Sequence, residues 1–351
     1  MANAGPEESG GIFGKRNTEE ESEAMKLAIL GYGFMGGAHL AAMQRIEGVT
    51  VKSVSSRTRP SADGPARGNL NLQSGPLPED IAWCPDWREI LKDPEVDAVD
   101  VCLPTDLHKE VVLAALAADK HVFCEKPMAL STEDCDAILA AVEDSGHIFM
   151  VGQVLRFMFP YRYAADFIAE TGRDAVVRCI LQRSTGYPDW GGWLGKEERS
   201  GGAILDLLSH DLDQALSMFG PPESLSAVSQ GAVDTMQATL HYGGGLAVQV
   251  EGGWFASDVP FSASFEIEAA GTLLSFHDGV FRRRDKGGAD QIVEIPQHDP
   301  YFDEIAYFID CCRRNAAPEL CLPTESAAAV RLSNLLRASR DANGREMAWQ
   351  T

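Results

Sequence analysis

A glycine-rich turn directly after an apolar segment constrains the fold of this chain more than any other feature. Residues 27–30 form a predicted strand, and Gly31, Gly33 and Gly36 follow in a G-x-G-x-x-G pattern. Gly31 permits a tight turn, Gly33 lets the backbone approach a pyrophosphate, and Gly36 lets the next helix pack on its strand. The N-terminal N–H groups of that helix would face the anion. The pattern predicts dinucleotide binding, and the alternative is a merely structural turn.

Segments typical of strands and helices alternate between residues 25 and 151. Further strands are predicted at 49–55, 98–103, 121–124 and 147–151, with helices near 87–91, after residue 105 and from Ser131. Strands that alternate with helices form a doubly wound parallel sheet. We therefore predict an α/β fold with an N-terminal Rossmann domain over residues 25–151.

The pattern changes after residue 152, where strands follow one another in series. Strands are predicted at 175–183, 225–233, 236–242, 246–255 and 262–270, with helices at 161–170, 203–219, 302–313 and 324–338. Such a series indicates an α+β domain with a large, mostly antiparallel sheet over residues 152–345. Residues 1–24 carry six glutamates and almost no apolar side chain, so they are predicted to be a disordered acidic tail.

Charge and cysteine content exclude several classes of partner. The 351 residues include 52 acidic and 30 basic ones, which gives a net charge of −22 and argues against nucleic acid or an anionic membrane as a partner. The eight cysteines form no CxxC pair, which favours reduced thiols and a cytoplasmic location. The sequence has no apolar run of about 18 residues and no apparent signal peptide, so we expect a soluble protein.

The loop after the second strand distinguishes between the two nicotinamide dinucleotides. NAD enzymes place an acidic residue here to bind the ribose 2′-hydroxyl, whereas this chain has Ser56, Arg57 and Arg59. Guanidinium groups pair with a 2′-phosphate, so NADP is favoured over NAD. Alternatively, these arginines are ordinary solvated loop charges.

Two further loops follow strand ends, where an open α/β sheet binds its ligand. Pro104, Thr105 and His108 follow one strand, and Glu125 and Lys126 end the next. This position puts Lys126 beside a bound cofactor, where an ammonium group suits proton transfer. The alternative is an ordinary lysine at a strand end.

A carboxylate and an imidazole share one face of the predicted helix 203–219. Asp206 and His210 are four residues apart, and Gly201-Gly202 just before them permits close approach of a ligand. The pair suits acid–base work on a hydroxyl, because imidazole titrates near neutral pH. It is also compatible with a surface pair or a helix cap. No third ligand stands at a recognisable spacing, so no metal is expected.

Together these motifs resemble the Gfo/Idh/MocA oxidoreductases, named for glucose-fructose oxidoreductase and inositol dehydrogenase. The resemblance covers residues 26–345, and it includes the Glu125-Lys126-Pro127 motif, the double glycine and the Asp206 to His210 segment. It also includes the segment 104–108, Val151-Gly152 leading to Leu155-Arg156-Phe157, and Glu304-Ile305 with Phe308.

The resemblance implies roles for particular residues. In such enzymes the residue matching Lys126 contacts the reacting oxygen and the nicotinamide ribose, the one matching His210 exchanges the proton, and the one matching Asp206 binds substrate. His108 and Arg156 match positions near the cleft. Independently of the resemblance, the aromatic side chains of Tyr187, Trp190 and Trp193 suit either stacking on a sugar ring or covering the sheet. The predicted cofactor-binding residues are Gly31, Gly33, Phe34, Met35, Gly36, Ser56, Arg57, Pro104, Thr105, His108, Glu125 and Lys126, and the predicted substrate-binding residues are Lys126, Arg156, Trp190, Asp206 and His210.

The resemblance therefore implies an NAD(P)-dependent oxidoreductase that moves a hydride between a nicotinamide cofactor and a secondary hydroxyl or carbonyl of a sugar, inositol or related polyol. Two alternatives belong to other classes: a glycosidase that oxidises its sugar transiently and eliminates the glycoside, and a non-catalytic dinucleotide sensor. The large sheet resembles the surface through which family members form dimers and tetramers, so a homodimer or homotetramer is expected.

Overall fold

Two sheets organise the chain, and helices pack against both of them. The computed structural model describes residues 24–61, 72, 75–188, 192–231, 234–256 and 258–349. The predicted tail 1–24 and Trp190 therefore lie outside the described residues, apart from residue 24.

The first sheet has six parallel strands in the order β3-β2-β1-β4-β5-β6. The strands are β1 (Met25–Leu30), β2 (Val49–Ser55), β3 (Ala82–Cys84), β4 (Ala98–Val101), β5 (His121–Glu125) and β6 (Phe149–Gly152). The strand order reverses at β1, so a crevice opens beyond the carboxyl ends of β1 and β4. The predicted doubly wound parallel sheet is confirmed.

Helices cover both faces of this sheet, which explains why its central strands are mostly apolar. Four of them are α1 (Phe34–Met43), α2 (Trp87–Leu91), α3 (His108–Ala117) and α4 (Thr132–Ser145). All four residues of β4 are buried, although one of them is Asp100. As the sequence predicted, Ser131 caps α4, since its side chain accepts a hydrogen bond from the Asp134 N–H at 3.1 Å.

The second sheet has nine strands in the order β14-β13-β12-β11-β7-β10-β9-β8-β15. They are β7 (Val176–Gly186), β8 (Ser224–Val228), β9 (Asp234–His241), β10 (Ala247–Phe255), β11 (Ser262–Ala269), β12 (Thr272–His277), β13 (Val280–Arg284), β14 (Gln291–Val293) and β15 (Met347–Ala348). Strands β7 and β10 are parallel, and the other described pairs are antiparallel. The predicted large, mostly antiparallel sheet is confirmed.

Strands β12 to β14 were not predicted from the sequence. The segment Val280–Arg284 ends in three arginines, and Ile292 in β14 is 73% exposed. Strand β14 lies at the edge of the sheet and buries little side chain, so it lacks the apolar alternation of a central strand. Strand β12 has that alternation, with Leu274 and Phe276 buried, and was missed although the signal was present.

The single helix predicted over 203–219 is wrong, because the chain forms two helices there. They are α7 (Gly202–Asp206) and α8 (Ser209–Phe219), and the short helix α6 (Glu197–Ser200) precedes them. The N–H groups of Leu207 and Leu208 both donate to the carbonyl of Ala203, each at 2.9 Å, and this widens the turn between α7 and α8.

The remaining helices connect the two sheets. They are α5 (Phe159–Thr171), α9 (Pro300–Arg314) and α10 (Pro323–Asp341). Although α9 follows the second sheet in sequence, its buried residues Ile305, Phe308 and Ile309 join Leu27 and Ile29 of β1 in one apolar cluster. Phe308 packs on Phe123 of β5 with ring centroids 5.5 Å apart. Within the described part of the chain, no helix combines the length and the apolar character needed to cross a bilayer.

Candidate active site

A cavity of about 800 Å³ opens beyond the carboxyl ends of the first sheet, and the second sheet closes it from the other side. Its walls include Gly33 from the glycine turn, Thr105 after β4, Lys126 after β5 and Arg183 of β7. This is the crevice in which open α/β sheets bind their ligands. The cavity is large enough for a small-molecule ligand and is lined mostly by apolar side chains.

The glycine turn has the geometry that a pyrophosphate requires. A Cβ on Gly31, whose φ is +110°, would lie 2.4 Å from the Cys102 carbonyl oxygen, and one on Gly36 would lie 2.4 Å from the Gly31 carbonyl oxygen. A Cβ on Gly33 would meet nothing within 4 Å, so the space in front of Gly33 is open. No side chain caps the first N–H groups of α1, and Phe34 and Met35 line the cavity. These residues fit a bound dinucleotide.

Lys126 and Asp206 meet across the cavity from the two halves of the chain. The Lys126 Nζ donates to the Asp206 backbone carbonyl at 2.7 Å and lies 3.2 Å from its carboxylate Oδ1. The side chains are 16% and 18% exposed, so each retains access to the cavity. Because Asp206 is the last residue of α7, the bend after it leaves the backbone carbonyl available to Lys126.

His210 lines the same cavity, on the first turn of α8. Its Nδ1 is fully covered and has no hydrogen-bond partner among the described residues, so Nε2 is the nitrogen of the partly accessible ring that a ligand in the cavity can reach. Burial, together with the positive charges of Lys126 and Arg183, lowers the pKa of His210 well below its ordinary value. The ring is therefore neutral at neutral pH, and it is able to accept a proton.

Two predicted site residues lie away from the cavity wall. The His108 ring bridges the carbonyl oxygens of Leu103 and Pro127, at 2.8 and 2.9 Å, and so ties together the loops after β4 and β5. Arg156 binds Asp213 through two nitrogens, at 2.8 and 2.7 Å. Neither residue is among the described residues that line the cavity.

The other predicted residues are divided between the cavity and its surroundings. Glu125 and Pro104 line it, as does Trp193, whereas the Tyr187 hydroxyl donates to Gly195 and its ring packs edge-on against Trp254. Ser56 lies at the end of β2, where its hydroxyl donates to the Thr58 carbonyl at 2.8 Å. Arg57 beside it is exposed.

The contribution of β7 to the cavity was not predicted from the sequence. Arg183 and Thr185 line it from this strand, as does Tyr161 from α5. Arg183 is 5% exposed and its Nε donates to Asp211 at 2.7 Å. The signal was present, because residues 179, 181, 183 and 185 share one face of a strand, and an arginine on a buried face needs a partner.

A buried polar cluster lies next to the cavity, behind Glu125. The His39 Nδ1 is 2.9 Å from the Asp100 carboxylate, and its Nε2 is 3.1 Å from Glu125, a close contact without aligned hydrogen-bond geometry. Although burial opposes the charged ring, Cys102 and Asp100 raise the pKa of His39 well above its ordinary value. Burial likewise opposes charge on Glu125, but His39 and Lys126 outweigh it and lower the pKa of Glu125. Glu304 is fully buried, neither of its carboxylate oxygens has a hydrogen-bond partner in the part of the chain that the structure describes, and burial raises its pKa well above the ordinary value.

Within the described residues this cluster also provides the set of atoms that most resembles a metal site. Atoms of His39, Asp100 and Cys102 lie within 4.8 Å of one another. These groups already contact one another, with the Cys102 Sγ 3.4 Å from both His39 and Asp100. An imidazolium between two carboxylates accounts for the arrangement as a hydrogen-bonded network.

Comparison with known families matches both halves of the chain. Residues 25–153 match the model of the oxidoreductase family with an NAD-binding Rossmann fold, GFO_IDH_MocA. Residues 161–276 match the GFO/IDH/MocA C-terminal domain.

Individual relatives are more distant. A levoglucosan dehydrogenase of Pseudarthrobacter phenanthrenivorans is 27% identical over 73% of this chain, and the match spans 65% of that protein, less than two thirds of its length. A scyllo-inositol 2-dehydrogenase (NAD(+)) of Bacillus subtilis is 27% identical over 84% of this chain and 88% of its own length. Among solved structures, the aldose-aldose oxidoreductase of Caulobacter crescentus, complexed with glycerol, superimposes with a TM-score of 0.77. That match has 20% identity and covers 93% of this chain and 99% of the other.

Proposed function

Because the chain belongs to the Gfo/Idh/MocA family of oxidoreductases, we propose that it is an NAD(P)-dependent dehydrogenase or reductase acting on a secondary hydroxyl or carbonyl of a sugar, inositol or related polyol. The observation that carries this proposal is the meeting of Lys126, Asp206 and His210 in one cavity beside the glycine turn. Relatives named for levoglucosan and scyllo-inositol support the substrate class.

The three residues divide the chemistry among them. During oxidation His210 accepts the proton of the substrate hydroxyl at Nε2, because its ring is neutral and partly accessible while Nδ1 is covered. Lys126 donates a hydrogen bond to the same oxygen, and Asp206 holds the ammonium group in position through the contacts at 2.7 and 3.2 Å. The nicotinamide ring, when bound, supplies the hydride acceptor for oxidation and the hydride donor for reduction.

The walls of the cavity suit a carbohydrate ring. Trp193, Trp254 and Phe261 contribute aromatic surface, on which the C–H face of a sugar packs. Lys126, His210 and Asp206 supply the polar groups that orient its hydroxyls.

Replacement of Lys126 tests the assignment. We expect Lys126→Ala to lower kcat by at least about a hundredfold, since it removes a donor to the reacting oxygen, while the dissociation constant for the cofactor changes little. The assay is nicotinamide absorbance with NADP and NAD against a panel of inositols, aldoses and sugar acids. Lys109→Ala is the control, because Lys109 forms a surface ion pair with Asp134. Turnover by Lys126→Ala close to that of the wild type would refute the role given to this lysine.

The proposed cofactor preference is NADP over NAD. Arg57 and Arg59 are exposed at the carboxyl end of β2, and no hydrogen bond or ion pair holds either guanidinium among the described residues. Replacing both with alanine should raise the KM for NADP at least about tenfold and leave that for NAD unchanged, since only NADP carries the 2′-phosphate. Wild-type activity with NAD alone would contradict the preference.

The proposal includes the assembly and location of the protein. We expect a homodimer or homotetramer formed through the outer face of the nine-stranded sheet, which presents polar residues such as Gln182, Gln237 and Glu251. Sedimentation velocity measures this directly, and a monomer at micromolar concentration would exclude it. The eight unpaired cysteines favour the reducing cytoplasm.

A further inference from the structure

Helix α8 carries two buried aspartates, and each binds an arginine. Asp211 pairs with Arg183 of β7, and Asp213 pairs with Arg156 of the turn after β6. The two carboxylates are 0% and 1% exposed, and both arginines are at least nine-tenths buried. The two pairs are therefore chemically matched, but they occupy different surroundings.

The guanidinium group of Arg156 is fully occupied by the protein. Its Nε and Nη2 donate to Asp213, and its Nη1 donates to the Leu320 carbonyl at 2.6 Å and to Glu325. Every nitrogen of Arg156 thus has a protein partner. The group ties α8 to the segment between α9 and α10.

The guanidinium group of Arg183 is only partly occupied. Its Nε and Nη2 donate to Asp211 at 2.7 and 3.2 Å, and Nη2 also approaches the Tyr161 hydroxyl at 3.3 Å. Nη1 has no partner among the described residues, and it is not one of the enclosed polar atoms that lack one. Because Arg183 lines the cavity together with Lys126 and His210, the open side of Nη1 faces the cavity.

We propose that Arg183, held in place by Asp211, is a further substrate-binding residue whose Nη1 donates to a second oxygen of the substrate. This inference rests on the proposed function and adds a specificity element to it. When a ligand displaces water from the cavity, a guanidinium N–H left without an acceptor is costly, so a ligand oxygen that pairs with Nη1 gains binding energy. The substrate therefore carries, besides the reacting hydroxyl, a hydroxyl or other oxygen acceptor that reaches β7.

This arrangement discriminates against alcohols with a single oxygen. An analogue that lacks the second oxygen leaves the N–H groups of Nη1 unpaired, and sites built to bind a hydroxyl reject such analogues strongly. Cyclohexanol, which has one hydroxyl on a six-membered ring, is thus a poor substrate compared with an inositol.

The test compares Arg183→Lys with Arg156→Lys, because both changes remove the guanidinium fork from a buried pair while keeping a positive charge opposite the aspartate. We measure kcat and KM with myo-inositol, scyllo-inositol, levoglucosan and cyclohexanol, the cofactor dissociation constant, and the melting temperature. Arg183→Lys should raise KM for the polyols at least about tenfold, with kcat and cofactor affinity little changed and cyclohexanol kinetics unaffected. Arg156→Lys measures what disturbance of α8 alone does to the same constants.

The outcomes separate this inference from the proposed function. The inference is overturned, while the dehydrogenase assignment stands, if the polyol KM is unchanged in Arg183→Lys or rises equally in Arg156→Lys. It is also overturned if the KM for cyclohexanol rises as much as the polyol KM in Arg183→Lys. A wild-type protein that oxidises no polyol with either cofactor overturns both. If Arg183→Lys does not fold, the double variant Arg183→Gln with Asp211→Asn repeats the test with a neutral hydrogen-bonded pair, avoiding an unpaired buried charge.

Discussion

At the scale of single residues, the state of His210 governs the pH dependence of the reaction. Burial and two nearby cations lower the pKa of His210 well below the ordinary value of 6.5, so the neutral base persists under mildly acidic conditions. Oxidation needs the unprotonated ring, and kcat/KM should therefore fall only when the pH drops through that lowered pKa. We expect the acid limb of the kcat/KM profile to have its midpoint below pH 6.5.

The variant His210→Gln provides the comparison for that profile. It should lose this limb and about a hundredfold to ten-thousandfold in kcat, the range for removal of a general base. A wild-type midpoint at or above 6.5 would show that another group sets the profile.

A second residue-scale prediction concerns Glu304. The pKa of Glu304 is raised in the folded protein, whereas in the unfolded chain it has its ordinary value of 4.5. Above pH 4.5 the unfolded chain therefore releases a proton that the folded protein retains, and the folded state loses stability as the pH rises. Glu304→Gln cannot titrate and avoids this loss. The variant should gain unfolding free energy over the wild type with rising pH, at most about 1.4 kcal/mol per pH unit.

Urea unfolding of the two proteins between pH 5 and 8 measures the difference. Asp310→Asn is the matched control, because Asp310 is an exposed acid on the same helix. A constant difference between Glu304→Gln and the wild type over this range would show that Glu304 is ionised in the folded protein.

The strand-end position singled out Lys126, and helical spacing paired Asp206 with His210, while the family resemblance implied that the three residues act together. None of these could predict which arginine faces the cavity. Arg156 lies just before α5, in a segment that resembles the family motif. No local feature of the sequence distinguishes an arginine whose nitrogens all bind protein groups, such as Arg156, from one with an open nitrogen. That difference comes from Leu320 and Glu325, which are far away in sequence. Long-range partners of this kind are invisible to spacing arguments.

At the scale of elements, the strand–turn–helix unit at residues 25–43 contains glycines with separable roles. Gly36→Ala brings a Cβ within 2.4 Å of the Gly31 carbonyl oxygen, so α1 must shift on its strand and the protein should lose stability. Gly33→Ala meets nothing within 4 Å, at a φ of −110° that alanine adopts readily. It should therefore fold normally and yet bind the dinucleotide poorly, because the added methyl group occupies the open space.

Melting temperature and cofactor titration separate the two effects. We expect Gly33→Ala to match the wild type in melting temperature and to weaken cofactor binding at least about tenfold, whereas Gly36→Ala should lower the melting temperature by several degrees. Tight cofactor binding by Gly33→Ala would mean that the pyrophosphate does not approach this turn.

Element types were predictable where the apolar pattern was strong, and they were missed where local chemistry interrupts it. The helix predicted over 203–219 has a continuous apolar pattern, but its turn widens at Leu207–Leu208 next to the carbonyl that Lys126 binds. The interruption coincides with a contact between segments 80 residues apart, which spacing within the helix does not reveal. Strand β14 was missed for a different reason, since this edge strand buries few side chains.

At the scale of the whole molecule, the first sheet depends for its stability on a helix that follows the second sheet in the chain. Phe308 of α9 is fully buried against Phe123 of the first sheet, so Phe308→Ala should lower the unfolding free energy by about 3–5 kcal/mol. Amide hydrogen exchange should accelerate in β1 and β5 as well as in α9. Leu322→Ala, at a position 39% exposed, should change the stability by less than about 0.5 kcal/mol. Unchanged exchange in β1 and β5 would show that α9 contributes nothing to the first sheet.

The return of α9 to the first sheet has a consequence for protein synthesis. The ribosome releases β1 to β6 long before it releases Pro300–Arg314, and until then Leu27, Ile29 and Met150 lack part of their apolar cover. Domains usually fold in order as they leave the ribosome, but here the first sheet is covered only after the strands β7 to β14 of the second sheet have been synthesised. The nascent chain therefore carries an exposed apolar surface until α9 emerges, and chaperones that bind such surfaces have that interval in which to act.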